Sequence, residues 1–330
     1  MCGRDWSSNV CSSDLPMKTK FNIAILGGRC YVGQEIIKII NNHPYFFISD
    51  IYSKTSQGKL VDDYTKLKSV TYKLLDSPDK LDYKNIDIVI MALSNNESPD
   101  YVKSIEEYDP NIIIIDISAD YRFDDRWAYK LPEVSVSDEK WRISNPGCYA
   151  SAIQFSLFPI KHFIDGKVSC MGISGYSGAG ATPNDKNTPI NLKDNIIPYS
   201  LSGHIHEKEV MKHCYKDISF SPHVANFFRG ILITSHIKLT KKLSNSEIHN
   251  IYKTFYKGKK LIKVIKEIPM INKVSNSHYV YIGGFEVDED GYGLTVCCTL
   301  DNLLKGAATQ VIQNLNHACN LDELTGINYE

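Results

Sequence analysis

An α/β fold in two parts, a parallel-sheet domain followed by a mixed α+β domain, is what this sequence of 330 residues predicts, and three observations predict it. A short apolar run at 21–26 (FNIAIL) leads into a glycine-rich turn and then into QEIIKIINNHP, where apolar residues recur at helical spacing. Two later runs, IDIVIMAL at 86–93 and NIIIIDIS at 111–118, are continuously apolar, as strands covered on both faces must be. From Val168 to Leu300 the pattern changes to alternating strand-like segments with few helices between them, which suits a mixed sheet. The length allows two cores.

In chain order, residues 1–16 (MCGRDWSSNVCSSDLP) show no period and no apolar core of a signal peptide. They read as a non-native leader, with Met17 the better start. The strand-turn-helix that follows carries Gly27, Gly28, Arg29, Cys30, Tyr31, Val32 and Gly33, and such a unit sets backbone amides and a helix N-terminus under a pyrophosphate. The next strand, FFISDIYS at 46–53, ends at Ser53 and Lys54. A hydroxyl and a cation there suit a ribose 2′-phosphate, whereas an acidic residue would hold a bare ribose diol, so NADP is favoured over NAD even with Asp50 nearby. The stretch 98–108 reads as a helix between the two apolar strands. Ligands gather at the carboxyl ends of parallel strands, which makes Ser94, Asn95, Ser118 and Arg122 candidates for lining a crevice. Arg122 has a competing use as a surface partner of Asp120 or Asp124.

Ser144-Asn145-Pro146-Gly147-Cys148-Tyr149 is a turn running into an apolar helix over 150–160. A thiol at a helix N-terminus feels the positive end of the dipole, which favours the attacking thiolate. After a strand at 168–178 comes GYSGAGATPN, a loop open enough for close backbone approach to a ligand, and then His204 and His206 two residues apart. On an extended segment they point to opposite sides, whereas a turn at Gly203 brings both near one thiol; either is a candidate general base, with His206 favoured because Glu207 or Glu209 can orient its far nitrogen. Arg229, heading the strand at 230–239, offers a fork for carboxylate or phosphate. A helix at 246–256, strands at 279–287 and 292–300 and a last helix at 304–319 complete the pattern.

Composition narrows the function classes. Lys and Arg number 37 against 38 acids, a net charge of −1, so no broad basic field for nucleic acid exists. No run approaches the ~18 apolar residues of a membrane span. Nine cysteines without CxxC pairs or a zinc-spaced cluster argue for a reducing cytosol and against a metal site or disulfide framework.

The ordered set GGRCYVGQE, DISADYRF, LPE, SNPGCY, GYSGAG, GHIHEKE, SPHV, RGI and DNLLKGAA, spanning residues 21–327, resembles the N-acetyl-gamma-glutamyl-phosphate reductase family of arginine biosynthesis, and GYSGAGATP with NIIPYSLSGHIHE resembles its fungal-type branch. The resemblance implies NADPH-dependent reduction of an acyl phosphate through a Cys148 thioester, with His204 or His206 as acid and base. It implies a semialdehyde-dehydrogenase-like division into a Rossmann-type NADP-binding domain, 17–147 re-entered by 303–330, and an α+β catalytic and oligomerisation domain, 148–302. Arg122 and Arg229 are then candidates for phosphate or carboxylate, Asn145 for the oxyanion, and Gly178, Ala179, Gly180 and Asn302 for the cofactor. A homo-oligomer, dimer or tetramer, is implied, in the cytoplasm or, if cut from a fungal-type precursor, in mitochondria. An aspartate-semialdehyde dehydrogenase or a non-catalytic NADP-binding sensor are the rival readings. One departure stands out: Cys30 replaces an expected glycine, and is strained if that position needs a positive φ.

Overall fold

The computed structural model describes residues 19–61, 70–135 and 139–329; the expected leader and Met17 lie outside the described residues. The first part of the chain builds β1 (Phe21–Leu26), α1 (Tyr31–Asn42), β2 (Phe46–Ser53), β3 (Lys73–Leu74), β4 (Ile88–Met91), α2 (Ser98–Tyr108), β5 (Ile113–Asp116), β6 (Ala128–Tyr129) and β7 (Arg142–Ser144). These seven strands form one parallel sheet in the order β3-β2-β1-β4-β5-β7-β6. Its central strands are apolar on both faces because both are covered. Ile23 and Ile25 meet Ile36, Ile37 and Ile40 of α1, while Ala24 and Leu26 meet Val102 and Ile105 of α2.

The chain then forms α3 (Cys148–Leu157), β8 (Val168–Gly175), α4 (Pro189–Leu192), β9 (Ile196–Pro198), α5 (Ile205–His213), β10 (Ile218–Ala225) and β11 (Ile231–Lys238). It continues through α6 (Asn245–Phe255), β12 (Ile262–Val264), α7 (Ile271–Val274), β13 (Val280–Val287) and β14 (Gly293–Leu300). The second sheet runs β12-β13-β14-β11-β8-β10-β9 and mixes parallel with antiparallel pairs. One face packs on α3 and α6, as Phe155, Ile233, Ile248 and Tyr252 share a core. On the other face Met171 of β8 lies beside Thr234 of β11, and Met171 is 43% exposed. The segment ISFSPHVA is β10 despite its proline; it lies one strand from the sheet edge, where β9 covers only its last three residues.

The last helix departs from the uniform stretch expected at 304–319. Leu304–Ala308 is a π-turn, in which the Gly306 amide donates to the Asp301 carbonyl and Ala308 to Leu303, and α8 (Thr309–Ala318) follows. This segment returns to the first domain, with Leu304, Val311 and Leu315 in the same core as β1 and α1. Lys305 is fully buried, its ammonium 2.6 and 2.7 Å from the two Glu133 oxygens and 2.6 Å from Gln313 Oε1. Removing one member of such a pair strands a buried charge. Lys305→Met is expected to destabilise the fold by about 3–5 kcal/mol in urea unfolding, and adding Glu133→Gln should recover most of that loss; equal stability of Lys305→Met and wild type would refute the assignment.

Candidate active site

The turn between β7 and α3 sits where the two domains meet, and a carboxylate from the second domain pins it. Glu209 of α5 is fully buried; one oxygen accepts from the Gly147 amide at 2.7 Å and the Tyr129 hydroxyl at 2.7 Å, and the other from Arg122 Nη1 at 3.1 Å. Arg122 in turn donates from Nε to the Asn145 carbonyl and from Nη2 to the Ile117 carbonyl. Gly147 is the N-cap and Cys148 the first residue of α3. His206, one helical turn before Glu209, projects from the same face of α5 and lies against the turn, so close that a Cβ on Gly147 would come within 2.3 Å of Nε2. On the other side a Cβ on Gly306 would come within 2.8 Å of Cys148 Cβ. Two glycines therefore give the thiol and the imidazole their room.

Two cavities share this wall. One, of about 240 Å³, is lined by Cys30, Tyr31 and Val32 of the glycine turn and by Asn302, Gly306 and Ala307; the other, of about 170 Å³, by Ser174, Lys186, Tyr199, His204, Ile205 and Val224. Cys148, His206 and Gly178 line both. A larger cavity of about 530 Å³ at the amino ends of β1, β5 and β7 has none of these groups.

Burial sets the charge states. It pushes the Cys148 thiol up to about 11, outweighing the Tyr149 amide and Arg122, which favour the thiolate. The helix N-terminus alone thus does not deliver the resting thiolate expected from the sequence. Burial, Arg122 and His204 hold His206 well below the usual imidazole value, and burial with Lys186 lowers His204 to about 4. At neutral pH the resting pair is a thiol and a neutral imidazole, which can accept a proton. His204 caps α5, its Nδ1 accepting from the His206 amide at 3.1 Å, and Gly203 makes the preceding turn at φ +68°. Both rings consequently line one cavity, 4.9 Å apart. Neither expected glutamate orients His206: Glu207 accepts from the Gly203 and Phe220 amides, Glu209 is drawn to Gly147, and His206 Nδ1 is buried without a hydrogen-bond partner.

The glycine turn is unstrained. Gly27, not Cys30, takes the left-handed conformation, φ +81°, where a Cβ would strike the Ala92 carbonyl oxygen. Cys30 has φ −65° and caps α1, its sulfur accepting from the Gly33 amide at 3.3 Å. Gly28 and Gly33 leave no room for a Cβ, against Ile51 and the Gly28 backbone respectively. Arg29 donates to Thr55 Oγ1 at 2.7 Å, which brings its guanidinium to the end of β2 beside Ser53 and Lys54; Lys54 is paired with Glu97 and Ser53 is buried. With cavity-lining amides at a helix N-terminus and cations at the end of β2, the residues present fit a phosphorylated dinucleotide.

Of the other expected residues, some lie off the two walls and some on them. Asn145 is fully buried and pairs with Asn314, off both cavity walls. Arg229 is engaged by Asp301 and Glu35 and lines neither cavity. Ser118 turns inward to Asp116 at 2.6 Å. Gly178 lies on both walls, Ala179 on that of the smaller cavity, Gly180 and Asn302 on that of the larger, and Asn302 also ties Gly230 to Ser177. Sequence reasoning missed Tyr129, Tyr199, Lys186 and Gly306, and misread Glu209; the three-residue spacing of His206 and Glu209 on a helix was the available signal for the last.

Residues 22–140 match the NAD binding domain of semialdehyde dehydrogenase and residues 148–302 its dimerisation domain. An N-acetyl-gamma-glutamyl-phosphate reductase of Xanthomonas campestris pv. campestris is 42% identical over 309 residues, covering 92% of this chain and 98% of the relative. This chain belongs to the N-acetyl-gamma-glutamyl-phosphate reductase family. "Protein arg-6, mitochondrial" of Neurospora crassa is 43% identical over 96% of this chain, which spans 38% of that longer relative's length. Among solved structures, aspartate semialdehyde dehydrogenase II from Vibrio cholerae superposes with a TM-score of 0.76 over 91% of this chain and 98% of that one at 18% identity, a likeness of fold. In this family member burial disfavours the thiolate, so alkylation of Cys148 by iodoacetamide should still climb between pH 9 and 11. Following the Cys148 peptide by mass spectrometry checks this; a plateau already reached at pH 7 would reveal a resting ion pair instead.

Proposed function

We propose that this chain reduces N-acetyl-L-glutamyl 5-phosphate to N-acetyl-L-glutamate 5-semialdehyde with NADPH and releases phosphate, in arginine biosynthesis. The observation that carries the reading is the placement of Cys148 and His206 on the wall common to the two cavities. The larger cavity would hold the nicotinamide end, with the amides of residues 27–33 and Asn302 around the dinucleotide and Arg29 toward its 2′-phosphate. His206 takes the Cys148 proton as the sulfur attacks the acyl carbon. The first-turn amides of α3, rather than Asn145, steady the oxyanion. The carbon–oxygen bond to phosphate then breaks, a thioester remains on Cys148, and the imidazolium returns its proton to the departing phosphate. NADPH, when bound, supplies the hydride that converts this thioester to the aldehyde; the sulfur leaves as a thiolate, and a solvent proton relayed through His206 restores the resting thiol. Arg122 keeps the turn in register through Glu209 and stabilises the anionic states beside it. The aspartate-semialdehyde reading has only the likeness of fold behind it.

The family dimerisation domain supports a homo-oligomer, a dimer or tetramer, through the open sheet face at Met171 and Thr234. The described cysteines are all free, and among the described residues no helix is long and apolar enough to cross a membrane. A reducing compartment fits these thiols: the cytoplasm, or the mitochondrial matrix if the chain belongs to a longer precursor of the Neurospora kind.

Cys148→Ser is expected to lower turnover by at least about a thousandfold while NADPH binding, read by fluorescence titration, persists; activity within tenfold of wild type would sink the assignment. For the cofactor, kcat/KM with NADPH should exceed that with NADH by at least about tenfold, and Arg29→Ala should erase most of the difference. Equal values in the wild type would remove the role given to Arg29.

A further inference from the structure

Past β8 the loop of residues 180–203 carries one side chain that the reaction above leaves unused. Lys186 lines the smaller cavity beside Tyr199 and His204, and among the described residues no other lysine or arginine does. Its ammonium lies over the Tyr199 ring at 4.7 Å, and among the described residues it has no ion-pair partner. The loop holds it in place. Asn184 Oδ1 accepts from the Lys186 amide at 2.9 Å, Asn184 Nδ2 donates to the Ala179 carbonyl, and Asn187 Nδ2 donates to the Gly180 carbonyl. Lys186 is absent from the walls of the cofactor cavity, so it serves the smaller cavity alone.

An acyl phosphate of N-acetylglutamate has two anionic ends. Phosphate departs from the carbon that faces Cys148. The α-carboxylate lies beyond two methylenes and the α-carbon, and with the acyl carbon at Cys148 it would reach into the smaller cavity, of about 170 Å³. The acetamide beside it is neutral, so that end brings a single negative charge and needs a single cation. His204, lowered to about 4, is neutral and leaves Lys186 as that cation.

We propose that Lys186 is the specificity residue of this site: its ammonium takes the α-carboxylate of the substrate. The assignment rests on the reaction proposed above. It explains how a small cavity with a single cation selects an acyl phosphate that carries a remote carboxylate over one that does not.

The reverse reaction separates the two anions, because semialdehyde and inorganic phosphate then enter as different substrates. Purified wild type, Lys186→Met and Lys186→Arg are assayed with NADP+, phosphate and either N-acetylglutamate semialdehyde or 4-acetamidobutanal, which lacks the carboxylate. Loss of a charge-assisted hydrogen bond should raise the KM for the semialdehyde about 10- to 100-fold in Lys186→Met, with partial recovery in Lys186→Arg. The KM values for phosphate and NADP+ should stay within about twofold, and the preference for the semialdehyde over 4-acetamidobutanal should collapse in Lys186→Met. A rise confined to the KM for phosphate, or a semialdehyde KM that does not move, overturns the assignment while the reaction stands. Failure of the wild type to turn over the semialdehyde would remove the reaction itself, and the assignment with it.

Discussion

A single buried carboxylate holds the site together. Glu209 reaches from α5 of the second domain to the Gly147 amide, the Tyr129 hydroxyl and Arg122, all from the other side of the domain junction. Buried carboxylates are costly unless fully bonded. Here the bonding is complete, and its partners are the turn that presents the nucleophile and the arginine that fixes that turn. The same turn of α5 carries His206, so the group that locks the thiol's backbone and the group that receives the thiol's proton move as one body.

This arrangement reconciles a contradiction in the electrostatics. A helix N-terminus and Arg122 favour a thiolate at Cys148, yet burial overrides them and leaves the sulfur protonated; the same burial leaves His206 neutral. Neither group is charged in advance. A protonated thiol next to an unprotonated imidazole spares the resting enzyme a reactive anion beside an open cavity, and proton transfer is coupled to attack.

What the sequence made legible is local. The β1-turn-α1 unit and the Pro146-Gly147-Cys148 turn follow from glycine, proline and helical spacing within a dozen residues, and both stand as read. Cys30 shows where a local rule misleads: the left-handed residue of the turn is Gly27, so the cysteine keeps an ordinary φ and its sulfur serves as a helix cap. The role of Glu209 depends on partners 62, 80 and 87 residues away, and along the chain only its three-residue spacing from His206 hints at it. Arg229 looked like a ligand fork because its binding to Asp301 and Glu35 is likewise long-range. Lys186 went unnoticed for the opposite reason, since a lysine in a polar loop is ordinary until the loop closes over Tyr199.

The return of the last helix has a consequence for how the chain matures. Leu304, Val311 and Leu315 complete the core around β1 and α1, laid down nearly three hundred residues earlier, and Gly306 completes the wall against Cys148. The parallel sheet leaves the ribosome well before this segment, and the part of its α1-side core that Leu304, Val311 and Leu315 close stays open until they arrive. Closure of contacts so distant in sequence is slow and leaves sticky surface exposed meanwhile. One segment thus supplies both the cover over β1 and α1 and the wall against Cys148, so the first domain's core and the nucleophile's surroundings are completed by the same long-range contact.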